Sequence, residues 1–171
     1  MVRLGVFEDP IKTLIHQMKY RRAWTLAEFL ADRLLDQEPV KAMMSQTDAM
    51  VAVPLFFTHH IARGYNQAEL IARRLAKRCD KPVVKALTRV RWTETQTNLS
   101  PTQRVENLRG AFALINAKRI KGKHVVLVDD VMTTGATLQA AARALEPAKP
   151  ASLCAISIAV ADPKGRAFEV I

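Results

Sequence analysis

The sequence predicts a single α/β domain in which helices cover both faces of a mainly parallel sheet. Short apolar segments alternate with amphipathic helical segments, which is typical of strands joined by helical crossovers. The segment 125–128 is apolar throughout, and 152–160 is apolar apart from Ser152 and Ser157, as expected of strands buried on both faces. The length of 171 residues suits one core. We therefore predict one domain over residues 1–171, with a helical hood at 1–45 and a core at 46–171.

The hood is predicted from two apolar series that recur at helical spacing. They are Ile11, Leu14, Ile15 and Met18, followed by Leu26, Phe29, Leu30 and Leu34. Asp9 is a typical N-cap and Pro10 is typical of a first turn, so the first helix is expected to start there.

The core is predicted from alternating strand and helix segments. The expected strands are 49–53, 82–87, 111–114, 124–129 and 152–160. The expected helices are 66–78, 101–108 and 136–145. Pro54 ends the first of these strands, because proline cannot donate to a central ladder.

Composition and charge narrow the classes of partner. No apolar run approaches the roughly 20 residues that span a bilayer, so no membrane insertion is expected. The N-terminus lacks the pattern of a secretory signal, which makes the cytoplasm the expected location. Cys79 and Cys154 are too far apart for a paired metal motif and are expected to be core thiols. The net charge of +10 favours phosphorylated metabolites, nucleic acid or an acidic protein, or reflects a basic surface alone.

The most informative segment runs from Val125 to Thr137. Four apolar residues form a buried strand, Asp129 and Asp130 stand at its carboxyl end, and a Thr- and Gly-rich loop leads into a helix. Ligands of open α/β sheets bind beyond the carboxyl ends of strands. The segment has neither the Gly-Lys-Ser/Thr ending of a Walker A loop nor the spacing of a dinucleotide motif.

Each residue type in this segment suits part of a phosphorylated sugar. Backbone N–H groups at a helix start bind phosphate, and Gly135 allows a close approach with positive φ. The threonine hydroxyls add donors. Asp129 and Asp130 would repel phosphate but accept hydrogen bonds from sugar hydroxyls. The structural alternative is a solvated Asp-Asp turn followed by a helix cap.

The segment closely resembles the thirteen-residue signature of type I phosphoribosyltransferases, which bind 5-phosphoribosyl pyrophosphate (PRPP). The resemblance implies that Asp129 and Asp130 hold the ribose 2′- and 3′-hydroxyls. It implies that the loop wraps the 5-phosphate, with Val131, Met132, Thr133, Thr134, Gly135, Ala136 and Thr137 as PRPP-binding residues. It also implies a Mg²⁺ ion that is bound mainly through PRPP oxygens and water, with no protein side chain predicted as its ligand.

Two further segments carry basic residues toward the same edge of the sheet. The first is Val53-Pro54 followed by 63–68, where Arg63 and the N–H groups near Gly64 suit pyrophosphate. Its alternative is a surface arginine, a glycine turn and an asparagine helix cap. The second covers 95–112. Arg104 within this segment, and Arg89 and Arg91 just before it, are expected to reach pyrophosphate. The alternative for Arg104 is an exposed residue on a helix surface.

Together these segments resemble the ComF/GntX family, which includes the competence proteins ComF and ComFC. The shared patterns are R-G-Y-N-Q-A, T-Q-T-N-L-S, R-x-x-N, G-A-F and the PRPP loop, and the likeness extends from about Ile11 to Val160. The L-I-x-x-x-K-Y core of 14–20 also resembles that family's first helix. Typical members begin with a four-cysteine zinc module. No cysteine precedes Cys79 here, so we expect no zinc.

The resemblance implies Mg²⁺-dependent transfer of a 5-phosphoribosyl group to an acceptor, with release of pyrophosphate. Asp129, Asp130 and Arg63 are the predicted catalytic residues, and Asp130 is the candidate acid or base. The alternative function is a non-catalytic, PRPP-sensing or DNA-uptake accessory protein. Predicted partners are PRPP or another phosphorylated ribose, DNA, and DNA-uptake or helicase proteins. Homodimerisation is a family-level expectation.

Overall fold

The main sheet has four parallel strands in the part of the chain that the structure describes. This computed structural model describes residues 1–21, 23–55, 64–91 and 101–161, without the side chains of 101, 102, 104 and 105. The spatial order of the strands is β1-β6-β5-β2. Their bounds are Val2–Val6 (β1), Ala49–Ala52 (β2), His124–Met132 (β5) and Ser152–Val160 (β6). The predicted fold class, a parallel sheet flanked by helices, is confirmed.

The central strand β5 is longer than predicted. It pairs with β6 from His124 to Met132 but with β2 only as far as Val128, which lies opposite Ala52. The sequence predicts that the strand ends at Asp129. The structure shows that both acids and the next two residues continue the ladder with β6. The last four residues of β5 therefore project past the end of β2 at the carboxyl edge of the sheet.

Six helices pack in two layers within the described residues. Their bounds are Ile11–Tyr20 (α1), Thr25–Leu35 (α2), Glu38–Ser45 (α3), Gln67–Cys79 (α4), Pro101–Leu108 (α5) and Ala136–Leu145 (α6). Helices α1 to α4 share one buried cluster with Val126 and Val128. Helix α6 shares the other with Val125 and Leu127. Alternate residues of β5 thus face opposite layers, as the strand period requires.

A short pair of antiparallel strands completes the α6 layer. The two strands are connected through α5 and not by a tight turn, and the pair is called the hairpin below. It pairs Leu87–Arg89 (β3) with Phe112–Leu114 (β4), and Arg89 lies opposite Phe112. The predicted strand at 82–87 is therefore wrong in position. Val83 makes only an isolated bridge to Met50, and regular pairing starts at Leu87. Pro82 cannot donate to a ladder, which leaves this stretch poorly suited to a strand.

The first residues are the largest departure from the prediction. The sequence analysis places no strand before the first helix, yet β1 pairs in parallel with β6 at the edge of the sheet. The stretch 1–45 is thus not helical throughout. Gly5 leaves room for α1, because a Cβ at that position would lie 2.6 Å from the Cδ1 atom of Ile11 and would displace the end of that side chain. The N-cap of α1 is Pro10 and not the predicted Asp9, so the helix begins at Ile11, one residue later than predicted. The Asp9 carboxylate accepts a hydrogen bond from the Thr13 hydroxyl.

Among the described residues, none of the helices is both long enough and apolar enough to cross a bilayer.

Candidate functional site

The paired acids lie on the projecting end of β5, and they point toward different layers. Asp129 continues the face of Val125 and Leu127, whereas Asp130 continues the face of Val126 and Val128. The N–H of Asp130 donates to Asp129 Oδ1 at 2.9 Å, and the N–H of Val131 donates to Asp130 Oδ1 at 2.6 Å. Backbone donors therefore orient both carboxyl groups.

Asp130 forms an ion pair with the N-terminal helix. Its Oδ2 atom lies 2.8 Å from Nζ of Lys19 in α1, and the two side chains are only 13% and 19% exposed. The pair is far more enclosed than Arg33–Asp36 on the surface of α2, where both side chains are more than half exposed. The sequence analysis did not place Lys19 in the site. The only signal was the L-I-x-x-x-K-Y pattern, in which the lysine has no stated role.

Asp129 has the most altered acid chemistry in the described part of the site. Burial raises its pKa to about 7, and the negative charge of Asp130 acts in the same direction. The hydrogen bond from the Asp130 N–H opposes this change, as do the positive charges of Lys19 and Arg89. A carboxyl group that titrates near neutral pH can carry or accept a proton during a reaction. Asp129 therefore has the acid chemistry of a candidate acid or base, a role that the sequence analysis assigned to Asp130.

Arg89 is the predicted pyrophosphate-binding arginine that the structure brings to the acid pair. Its charge interacts with that of Asp129, and burial lowers the pKa of its guanidinium group. The guanidinium carbon lies 5.6 Å from the centre of the Phe112 ring, across the β3–β4 hairpin. Arg89 therefore places a cation on the side of the site opposite Lys19.

The loop after β5 reverses the chain into α6 at the same edge. Thr133 and Thr134 lead to Gly135, whose φ of 76° is in the left-handed region at the cap of the helix. The Thr134 hydroxyl accepts a weak hydrogen bond of 3.4 Å from the N–H of Ala136. The first turn of α6, which includes Thr137, starts at Ala136, six residues after Asp130. A helix start of this kind carries the partial positive charge that suits phosphate.

The segment that follows β2 lies at the same edge of the sheet. Asn66 caps α4 by accepting from the N–H of Ala68 at 3.1 Å, and its amide donates to the Val53 carbonyl at 3.0 Å. This is the cap that the sequence analysis kept as an alternative. Gly64 has a φ of 80°, and the hydroxyl of the next residue, Tyr65, donates to the carbonyl of Met18 in α1. The turn is thus tied to both β2 and the N-terminal helix.

Arg91, the remaining predicted arginine whose side chain is described, contacts α5 instead of the acid pair. Arg91 is exposed, and its Nη2 atom donates to the carbonyl of Asn107 at 2.6 Å, at the end of α5. Arg63 lies outside the described residues, and so does the side chain of Arg104. Their part in pyrophosphate binding stays a prediction.

Residues 21–170 match the family model described as "Phosphoribosyl transferase domain". The chain belongs to this family. The paired acids, the loop and the start of α6 all lie within the matched phosphoribosyltransferase domain.

Full-length relatives refine the comparison. "DNA utilization protein YhgH" of Salmonella typhi is 39% identical over 153 residues, which cover 85% of this chain and 65% of that protein. "Competence protein F" of Haemophilus influenzae is 35% identical, covering 81% and 62% respectively. "Competence protein ComFC" of Bacillus subtilis is 34% identical, covering 89% and 60%. The predicted resemblance to competence proteins is confirmed, and the chain spans about two thirds or less of these relatives.

Within the described ranges, no three His, Cys, Asp or Glu side chains come together to hold a metal ion. Cys79 and Cys154 are free thiols of intermediate exposure.

Proposed function

We propose that this chain binds PRPP together with Mg²⁺ and transfers its 5-phosphoribosyl group to an acceptor, releasing pyrophosphate. The observation that carries the proposal is the placement of Asp129 and Asp130 on the projecting end of β5, directly before the Thr133–Gly135 loop and the start of α6. Acceptors for sugar hydroxyls and donors for a phosphate thus adjoin each other at one edge of the sheet.

In the proposed complex the loop residues 133–137 bind the 5-phosphate, and the two acids bind the ribose hydroxyls. The left-handed Gly135 directs the chain into α6 without a side chain. Arg89 is close enough to Asp129 for their charges to interact, so it is the described arginine best placed to bind the pyrophosphate group. Arg63, Arg91 and Arg104 are further proposed contacts.

The proposed reaction breaks the bond between C1 of ribose and the pyrophosphate oxygen, which keeps the electron pair. A new bond forms between C1 and the acceptor nucleophile, and the proton of the nucleophile passes to a base. Asp129 is the proposed base, because its pKa of about 7 suits proton transfer near neutral pH. The acids also stabilise positive charge that develops on the ribose. Bound Mg²⁺ would neutralise charge on the leaving pyrophosphate.

Calorimetry with PRPP and a pyrophosphate-release assay test this proposal. We expect Mg²⁺-dependent binding that Asp129→Ala and Asp130→Ala each weaken at least about tenfold, equivalent to about 1.4 kcal/mol. Asp36→Ala is the matched control, because it removes an exposed carboxyl from the end of α2. An absence of binding heat with the unaltered protein would refute the proposal. Binding without turnover would favour a PRPP-sensing protein.

A second proposed function is a DNA-uptake accessory role in the cytoplasm. Two observations favour it: relatives bear the names "DNA utilization protein" and "Competence protein", and the net charge is +10. Lysine and arginine contacts with phosphates supply most nonspecific affinity for DNA. We expect DNA affinity that falls steeply between 50 and 200 mM salt, roughly tenfold or more. Affinity that does not change with salt would argue against this role.

A further inference from the structure

The Lys19–Asp130 contact is an enclosed ion pair and differs from the ion pairs on the protein surface. Both side chains are mostly enclosed, and their charged atoms are 2.8 Å apart. An ammonium group loses much of its hydration when it is enclosed by protein. It is stable there only beside a well-placed opposite charge. Ion pairs on the surface, in contrast, contribute only about 0–1 kcal/mol to the free energy of unfolding.

The backbone that carries Lys19 is also held in place. Ile15 and Met18 of α1 are fully buried in the cluster that covers the Asp130 face of the sheet. The carbonyl of Met18 accepts a hydrogen bond from the Tyr65 hydroxyl. Packing and this hydrogen bond together fix the last turn of α1 at the carboxyl edge of the sheet. Lys19 reaches Asp130 from a rigid element and not from a mobile tail.

We infer that Lys19 is a positioning residue of the ribose site, which acts by orienting the Asp130 carboxylate toward a sugar hydroxyl. The inference rests on the proposed function. Asp130 Oδ2 accepts from Lys19, and Oδ1 accepts from the Val131 N–H. A carboxylate has about four acceptor positions, so each oxygen keeps capacity for a ligand hydroxyl. The two fixed donors determine the direction in which that capacity points.

The inference predicts a difference between ligands with and without a full set of ribose hydroxyls. If Lys19 acts through Asp130, its removal weakens binding of ribose 5-phosphate more than binding of inorganic phosphate, which has no sugar hydroxyl. 2-Deoxyribose 5-phosphate then loses as little affinity as inorganic phosphate where Asp130 contacts the 2-hydroxyl, and as much as ribose 5-phosphate where it contacts the 3-hydroxyl. If Lys19 only adds positive charge, all three anions lose affinity alike. The comparison therefore separates orientation of an acceptor from general attraction of anions.

The experiment measures the affinities of the full chain for these three ligands by calorimetry. For Lys19→Met we expect about tenfold weaker binding of ribose 5-phosphate and at most about twofold weaker binding of inorganic phosphate. Lys19→Arg keeps a donor and is expected to restore much of the loss. Lys12→Met is the matched control, because Lys12 is an exposed lysine on the same helix. Equal losses for all three ligands, or none, would overturn the inference.

A measurement without ligand separates this inference from the proposed function. The charge of Lys19 lowers the pKa of Asp129, while Asp130 raises it and Arg89 lowers it from the other side. In Lys19→Met, NMR titration of the Asp129 carboxyl carbon should show a higher pKa than in the unaltered protein, and Lys12→Met should not. If the unaltered protein binds no phosphorylated ribose, the proposed function fails even where this shift appears. If it binds ribose 5-phosphate but Lys19→Met changes neither the pKa nor the discrimination, only the inference fails.

Discussion

Replacing Asp129 by asparagine removes a carboxyl group whose pKa is raised by burial to about 7. We expect the Asp129→Asn protein to gain stability over the unaltered protein as the pH rises from 4 to 8. The raised pKa means that the folded state favours the protonated acid. The protonated Asp129 side chain makes its whole contribution to the free energy of unfolding below the ordinary pKa of 3.8. This contribution is lost as the pH rises through about 7. Asparagine keeps an acceptor for the Asp130 N–H and does not titrate.

The size of the effect follows from the displacement of the pKa. Since one pKa unit corresponds to about 1.4 kcal/mol, the displacement sets an upper limit of about 4 kcal/mol between pH 4 and pH 8. Asp129 is partly exposed to solvent, so screening by water should reduce this difference in the free energy of unfolding to about 1–2 kcal/mol. For a domain of this size that corresponds to a difference in Tm of roughly 3–6 °C.

Thermal unfolding of both proteins at pH 4, 5, 6, 7 and 8 measures this difference. Asp36→Asn is the control, since it changes the net charge equally but at an exposed carboxyl. The reasoning is refuted if the difference in Tm between Asp129→Asn and the unaltered protein does not change with pH, or if it falls toward pH 8. A gain in stability combined with loss of PRPP binding would show that the acid is kept for function at a cost to the fold.

Two other substitutions test the backbone and the cap that shape the site. Gly135→Ala should cost about 1–2 kcal/mol in urea unfolding, because alanine is strained at a φ of 76°. Gly122→Ala, at a φ of 66°, should cost a similar amount, but only Gly135→Ala should weaken phosphate binding. Asn66→Ala should cost about 1–3 kcal/mol, since it removes a helix cap and leaves the Val53 carbonyl without its donor. Asn66→Ser should keep a neutral cap acceptor and lose less than Asn66→Ala; equal losses would contradict this account.

The sequence predicts those parts of the fold that local patterns determine. Apolar runs at 125–128 and 152–160 identify the central strands, and Ala136–Leu145 is a helix with the predicted bounds. The strand Val2–Val6 is missed because it is short and contains Gly5, which is unfavourable in a strand unless another element approaches closely. That close approach, by Ile11, is a tertiary contact and leaves no local pattern.

The candidate site divides in the same way. The acids and the loop form one continuous segment, so their chemistry can be predicted from adjacent residues. Lys19 and Arg89 come from separate elements, and only the packing of α1 and of the hairpin brings them to the acids. The longer β5 is equally non-local, because its last residues are held by pairing with β6.

The two-residue period of β5 explains why the site needs both layers of the domain. Adjacent acids on a strand must point to opposite faces, so no single helix could contact both from one side. Asp130 is contacted by α1, and Asp129 interacts with the charge on the hairpin. The Lys19 contact is a direct ion pair, whereas burial dominates at Asp129 and outweighs the opposing cations. This asymmetry gives two chemically identical residues different properties: Asp130 is a fixed acceptor, and Asp129 titrates near neutral pH.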